Sequence, residues 1–205
     1  MQFNQTKPAA INLPNLLSSG RLAMVPVLLC LAWNDWPRLF LACFVVSLAT
    51  DFLDGLLART LNQTSELGTK LDSWADFATM LAVPFCAWWL WPAVIRREAV
   101  FVIAALGSYF GAVLLGFLKF RRLTSYHTWA GKAAAVSMGI TTLVLLAGGP
   151  SWPFECATPI LVLAGLEEIA MTALLRDWQA NVPSFWHALK LNQQSKPASR
   201  RLLLL

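Results

Sequence analysis

The stretch DFLDGLLARTLNQTSELGTKLDSWAD, residues 51–76, puts four aspartates, Asp51, Asp54, Asp72 and Asp76, in or beside apolar runs. A charged group at the centre of a bilayer costs about 2.5 to 3.5 kcal/mol on insertion scales, so acids within apolar spans point to function. Asp51 and Asp54 are three residues apart and Asp72 and Asp76 four, so on helices each pair shares one face. The polar segment TLNQTSEL between them lets the two helices run antiparallel. With a rise of about 1.5 Å per residue, both pairs then reach similar depth and form one carboxylate cluster.

The surrounding chain sets the apolar background. Of 205 residues, 57% are hydrophobic and 13% charged, whereas a soluble domain gives about a quarter of its residues to Asp, Glu, Lys and Arg. Apolar runs at 20–33, 37–58, 69–92, 99–118, 131–148 and 157–175 approach the roughly 20 residues needed to cross a bilayer. The first is short and holds Pro26, and it spans if residues from Leu13 onward continue it. Each must be helical, because a span has to satisfy its own backbone hydrogen bonds away from water. The expected fold is an all-α integral membrane bundle of about six transmembrane helices, with a polar metal-binding cavity near the cytoplasmic face. Residues 1–19 would form a juxtamembrane segment, 20–176 the transmembrane catalytic domain and 177–205 a cytoplasmic tail.

Basic residues give the bundle its orientation. Lys7, Arg21, Arg59, Lys70, Lys119, Arg121, Arg122, Lys132, Arg176, Lys190, Lys196, Arg200 and Arg201 fall on one side, and Arg38, Arg96 and Arg97 on the other. By the positive-inside rule both termini and the loops 60–68 and 119–130 are cytoplasmic, the expected location being a bacterial inner membrane. Basic residues this scattered make no nucleic-acid surface. The N-terminus lacks the basic start and apolar core of a cleavable signal. Trp33, Trp36, Trp91, Trp129, Trp152 and Trp178 are placed for the headgroup level. Cys30, Cys43, Cys86 and Cys156 form no CxxC pair and have no His nearby, so small buried apolar roles are expected for all four.

Four like charges that close cannot all stay ionised without cations between them. Hard oxygen ligands without His or Cys point to Mg²⁺ or Mn²⁺, and two such ions could clamp a phosphoryl group. Gly55, Ala58 and Gly68 leave the helix faces without bulk, so a ligand could approach the backbone, or a neighbouring helix could pack there. Arg59 offers a planar fork suited to phosphate oxygens.

The spacing D-x2-D-G-x2-A-R-x8-G-x3-D-x3-D matches at Asp51, Asp54, Gly55, Ala58, Arg59, Gly68, Asp72 and Asp76, and it resembles the signature of the CDP-alcohol phosphotransferases. The N-terminal NLPNLLSSGR also resembles the PNxLTxxR start of that family. The resemblance implies transfer of a substituted phosphoryl group from a CDP-linked donor, commonly CDP-diacylglycerol, to an alcohol hydroxyl, with release of CMP. It implies that Asp51, Asp54 and Asp72 bind metal, that Asp76 both touches metal and takes the acceptor's proton, and that Gly55, Ala58, Arg59 and Gly68 line the CDP site. It also implies a homodimer. Lys132, in AGKAAAV, resembles a basic position that often opens the fifth helix of the family. With Lys119, Arg121 and Arg122 it could bind an acceptor phosphate, or all four could be cytoplasmic anchors.

Glycerol 3-phosphate is the first-choice acceptor. The glycerol-phosphate branch usually carries an Arg-Glu pair in the fourth helix, and 99–118 holds no charged residue, which keeps inositol phosphate, serine, choline and a soluble CDP-alcohol donor open. A cation transporter would need acids spread along a pore, whereas these gather at one depth beside Arg59. His127 reads as solvated, Asp35 as a turn residue, and Glu167 and Glu168 as intramembrane acids without an assigned role. A cysteine in place of Gln63 should be labelled by an impermeant thiol reagent in inside-out vesicles only; labelling in right-side-out vesicles would reverse the topology.

Overall fold

The structure, a computed structural model, describes residues 13–60, 66–121 and 128–175 together with Trp186. The side chains of residues 13–14, 54–60, 66–67 and 69 lie outside that description. Among the described residues there are seven helices and no strand: α1 (Leu13–Trp33), α2 (Pro37–Thr60), α3 (Glu66–Leu90), α4 (Pro92–Arg97), α5 (Ala99–Phe120), α6 (Trp129–Leu146) and α7 (Trp152–Leu174). The six long ones follow the six apolar runs. The first run does continue back to Leu13, with Pro26 inside the helix.

The short α4 corresponds to none of the apolar runs, and prolines account for it. Pro92 has no N–H to continue α3 and would clash with the preceding turn, so α3 stops at Leu90 and a new helix starts at the proline. Pro37 opens α2 in the same way. Between α1 and α2, Asp35 is a turn residue as expected, at φ 54°. At the end of α5, Arg121 adopts the left-handed conformation and donates its N–H to the Phe117 carbonyl. Thr128 caps α6 by accepting a hydrogen bond from the Gly131 N–H, at 2.9 Å.

Residues 15–33 of α1, together with α5, α6 and α7, are long and apolar enough to cross a membrane. Their outward faces carry large apolar groups such as Val100, Ile103, Leu118 and Leu163, which suit contact with lipid rather than water. Trp33, Trp36, Trp129 and Trp152 are exposed at helix ends, where the amphipathic indole fits the headgroup region; Trp178 lies outside the described residues. The chain is thus an all-helical membrane bundle. The four cysteines are free, but only Cys86 is buried. Cys30 and Cys156 are exposed on helix surfaces, because a face turned to lipid tolerates a small apolar group as well as a core does.

The helices form two compact units, one before residue 98 and one from residue 98 onward. In the first, α1 packs on both α2 and α3. In the second, α7 packs on both α5 and α6. The α5/α7 contact depends on Gly165, where an added Cβ would fall on the Ser108 hydroxyl and lie 3.2 Å from the Ser108 carbonyl oxygen. Such close approach through small residues is how helices associate where lipid offers no hydrophobic drive. Gly165→Ala should destabilise the protein by about 1 to 3 kcal/mol, read as a lower unfolding temperature in detergent. Adding Ser108→Gly should recover part of the loss, and simple additivity of the two losses would rule this contact out as the cause.

Candidate metal centre

Each of α1, α2 and α3 carries a face that is apolar along one part and polar along the other. On α2, Phe40, Phe44 and Ser47 are buried at three- to four-residue spacing, and Asp51 continues the stripe. On α3 the buried face of Ala75, Ala82, Val83, Cys86 and Ala87 leads back to Asp72 and Asp76. On α1, Leu28 and Ala32 share their face with Asn15, Ser18 and Arg21, all buried. The apolar parts drive the helices together, and the polar parts are thereby brought together as well.

The structure joins Asp51, Asp72 and Asp76 through one residue. The Arg21 guanidinium, 3% exposed, pairs through Nη1 with Asp51 and, at 3.2 Å, with Asp76. Through Nη2 it pairs with Asp72 at 2.5 Å. The carboxylates are more open, with side chains 44%, 25% and 47% exposed for Asp51, Asp72 and Asp76. A guanidinium presents five donors in a rigid fork, so it can serve acids from two helices at once. These acids neutralise a charge whose burial would otherwise be costly.

Asp51, Asp72 and Asp76 each offer one oxygen within 4.8 Å of the others, and could hold a metal ion. The donor set fits a hard divalent cation, since every donor is a carboxylate oxygen. Asp54, Gly55, Ala58 and Arg59 lie on helix α2, but their side chains are outside the described residues. Gly68 stands half-buried near the start of α3.

In the second unit, Arg121 and Lys132 are exposed, at the end of α5 and the first turn of α6. Lys119 donates to the carbonyls of Thr172 and Ala173, at 2.7 and 3.0 Å, so it satisfies the end of α7 as a basic residue commonly does. Glu168 lies against the start of α6, its Oε1 3.4 Å from where a Gly131 Cβ would sit, and a helix N-terminus favours a nearby acid. Arg122, His127 and Arg176 are outside the described residues.

Arg21 is a member of the site that counting basic residues does not place there. As a basic residue at the start of an apolar run it reads as an anchor, yet it is buried inside α1. The signal that could have found it is the spacing of Asn15, Ser18 and Arg21, three polar residues at three-residue intervals on one helix face.

Comparison with known proteins bears on the same residues. The family model described as CDP-alcohol phosphatidyltransferase matches residues 11–186. A protein of Pseudomonas fluorescens named CDP-diacylglycerol–glycerol-3-phosphate 3-phosphatidyltransferase is 29% identical over 180 residues, covering 81% of this chain and 89% of the relative. The cardiolipin synthase (CMP-forming) of Streptomyces coelicolor is 33% identical, covering 69% of this chain and 68% of the relative. A Bacillus subtilis protein with the same name as the Pseudomonas one is 31% identical, covering 58% and 72%. No solved structure matches.

With Mn²⁺ as the probe, Asp72→Asn should weaken binding at least about tenfold, since a ligand charge is lost from the centre of the cluster. Electron paramagnetic resonance of free Mn²⁺ over chelator-stripped protein measures it, and unchanged affinity would remove Asp72 from the metal site.

Proposed function

Because the chain belongs to the CDP-alcohol phosphatidyltransferase family, we propose that it transfers the phosphatidyl group of CDP-diacylglycerol to the hydroxyl of glycerol 3-phosphate, releasing CMP. The observation that carries this reading is the convergence of Asp51, Asp72 and Asp76 within the family-matched region. The names of the Pseudomonas and Bacillus relatives supply the acceptor.

Asp51, Asp54, Asp72 and Asp76 would hold two Mg²⁺ or Mn²⁺ ions, which when bound supply charge stabilisation to the phosphoryl group under attack. Asp76, the most open of the three described acids, takes the proton of the acceptor hydroxyl as general base. The acceptor oxygen bonds to the phosphatidyl phosphorus as the bond from that phosphorus to the CMP oxygen breaks, and CMP leaves with the electron pair. Gly55, Ala58, Arg59 and Gly68 are assigned to the CDP moiety. Arg121 and Lys132 are assigned to the acceptor phosphate, and their exposed positions at helix ends support this. Lys119 is not, its ammonium being engaged with α7.

The acyl chains of the donor would stay in lipid while water-soluble acceptor and CMP exchange with the cytoplasm, both termini facing that side of a bacterial inner membrane. The protein would act as a homodimer, with the domain limits given by the sequence. A second reading is favoured by the Streptomyces relative: the acceptor hydroxyl would then belong to a glycerol-bearing phospholipid, and the product would be a cardiolipin.

Purified protein with CDP-diacylglycerol should release CMP on addition of glycerol 3-phosphate. Release with phosphatidylglycerol instead would select the second reading, and release with neither would overturn both. Asp76→Asn should lower kcat by about 10² to 10⁴-fold, the usual contribution of a positioned base, and still bind donor. Loss of donor binding as well would make Asp76 chiefly a ligand.

A further inference from the structure

Arg21 occupies an unusual place for a buried cation, on the same carboxylates that could ligate metal. Its two terminal nitrogens contact Oδ1 of Asp51, Asp72 and Asp76, and these three acids are the group able to hold an ion. Two of the three side chains are more than two-fifths exposed, while Arg21 is 3% exposed. A cation can therefore reach the acids from the open side while the guanidinium holds them from the buried side.

Without a cation, three carboxylates whose oxygens approach within 4.8 Å would repel one another. They sit on two helices, α2 and α3, both packed on α1, so that repulsion would act directly on helix packing. A divalent ion entering the cluster would in turn meet a fixed positive charge that already shares its ligands.

We propose that Arg21 is a positioning residue of the metal site, an internal counter-ion that holds Asp51, Asp72 and Asp76 together in the metal-free protein and competes with the incoming divalent cation for their charge. This inference rests on the metal reading given above. Arg21 makes the empty site stable and the filled site exchangeable, and it does so from α1, a helix that carries none of the four aspartates.

The two properties are separable by experiment on the full chain in detergent, stripped of metal and titrated with Mn²⁺. Arg21→Gln should lower the unfolding temperature of the metal-free protein and bind Mn²⁺ about tenfold tighter, the lower end of what one nearby charge does to a carboxylate's affinity for a cation. Added Mn²⁺ should accordingly raise its unfolding temperature more than it raises that of the unaltered protein. Arg21→Lys keeps the charge but not the fork, and should fall between the two in both measurements. Should Arg21→Gln fold only when Mn²⁺ is present, that too is the expected behaviour, and Arg21→Lys then carries the affinity comparison. A merely structural arginine would instead give weaker or unchanged Mn²⁺ binding in both variants, which overturns the proposal and leaves the metal site standing. Absence of Mn²⁺ uptake by every form, the unaltered chain included, overturns the metal reading and this inference together.

Discussion

The first unit depends on keeping several like charges together inside a protein that is mostly hydrocarbon. Asp51, Asp72 and Asp76 come within ligand distance of one another because α1 supplies the Arg21 guanidinium between them. Neither partner would be tolerable alone. An isolated buried guanidinium is costly, and a cluster of acids shifts toward protonation when no cation balances it. The polar part of α1, with Asn15 and Ser18 also buried, is thus as necessary to the site as the helices that carry the aspartates.

This explains why the helices of the first unit are built with graded faces. Phe40 and Phe44 on α2, Cys86 and Ala87 on α3, and Leu28 and Ala32 on α1 are buried where the helices pack with apolar side chains. Toward the acidic part the same faces change to Ser47, Ala75, Ser18 and Arg21. Small and polar groups there leave room for charge. The second unit follows a different rule. Its central helix α7 packs through small residues such as Ala164 and Gly165, and Lys119 on the α7 carbonyls satisfies a helix end, while Glu168 lies beside the start of α6.

Most of the architecture was legible in the sequence because length and apolarity alone decide what can cross a bilayer. All six runs correspond to helices, with shifts where local chemistry decides the end: Pro92 stops α3, Thr128 starts α6 earlier than hydropathy does, and Trp152 with Pro153 opens α7. The pairing of Asp72 with Asp76 was legible too, through the four-residue spacing of a helix face. Burial was less so. Cys30, Cys43 and Cys156 look like core residues because lipid-facing and protein-facing positions are equally apolar, and hydropathy cannot tell them apart.

The sequence by itself determined the helical membrane fold, the shared helix face of Asp72 and Asp76 and the family to which the chain belongs, since each rests on residue type and short-range spacing. What only the tertiary structure decided is which distant charge completes the cluster. Arg21 precedes Asp51 by thirty residues and Asp72 by fifty-one, and no local rule links them. Its burial against the acids follows from α1 packing on both α2 and α3, a contact set by the fit of whole helix faces, in which a residue that reads as a surface anchor becomes the internal counter-ion of the site.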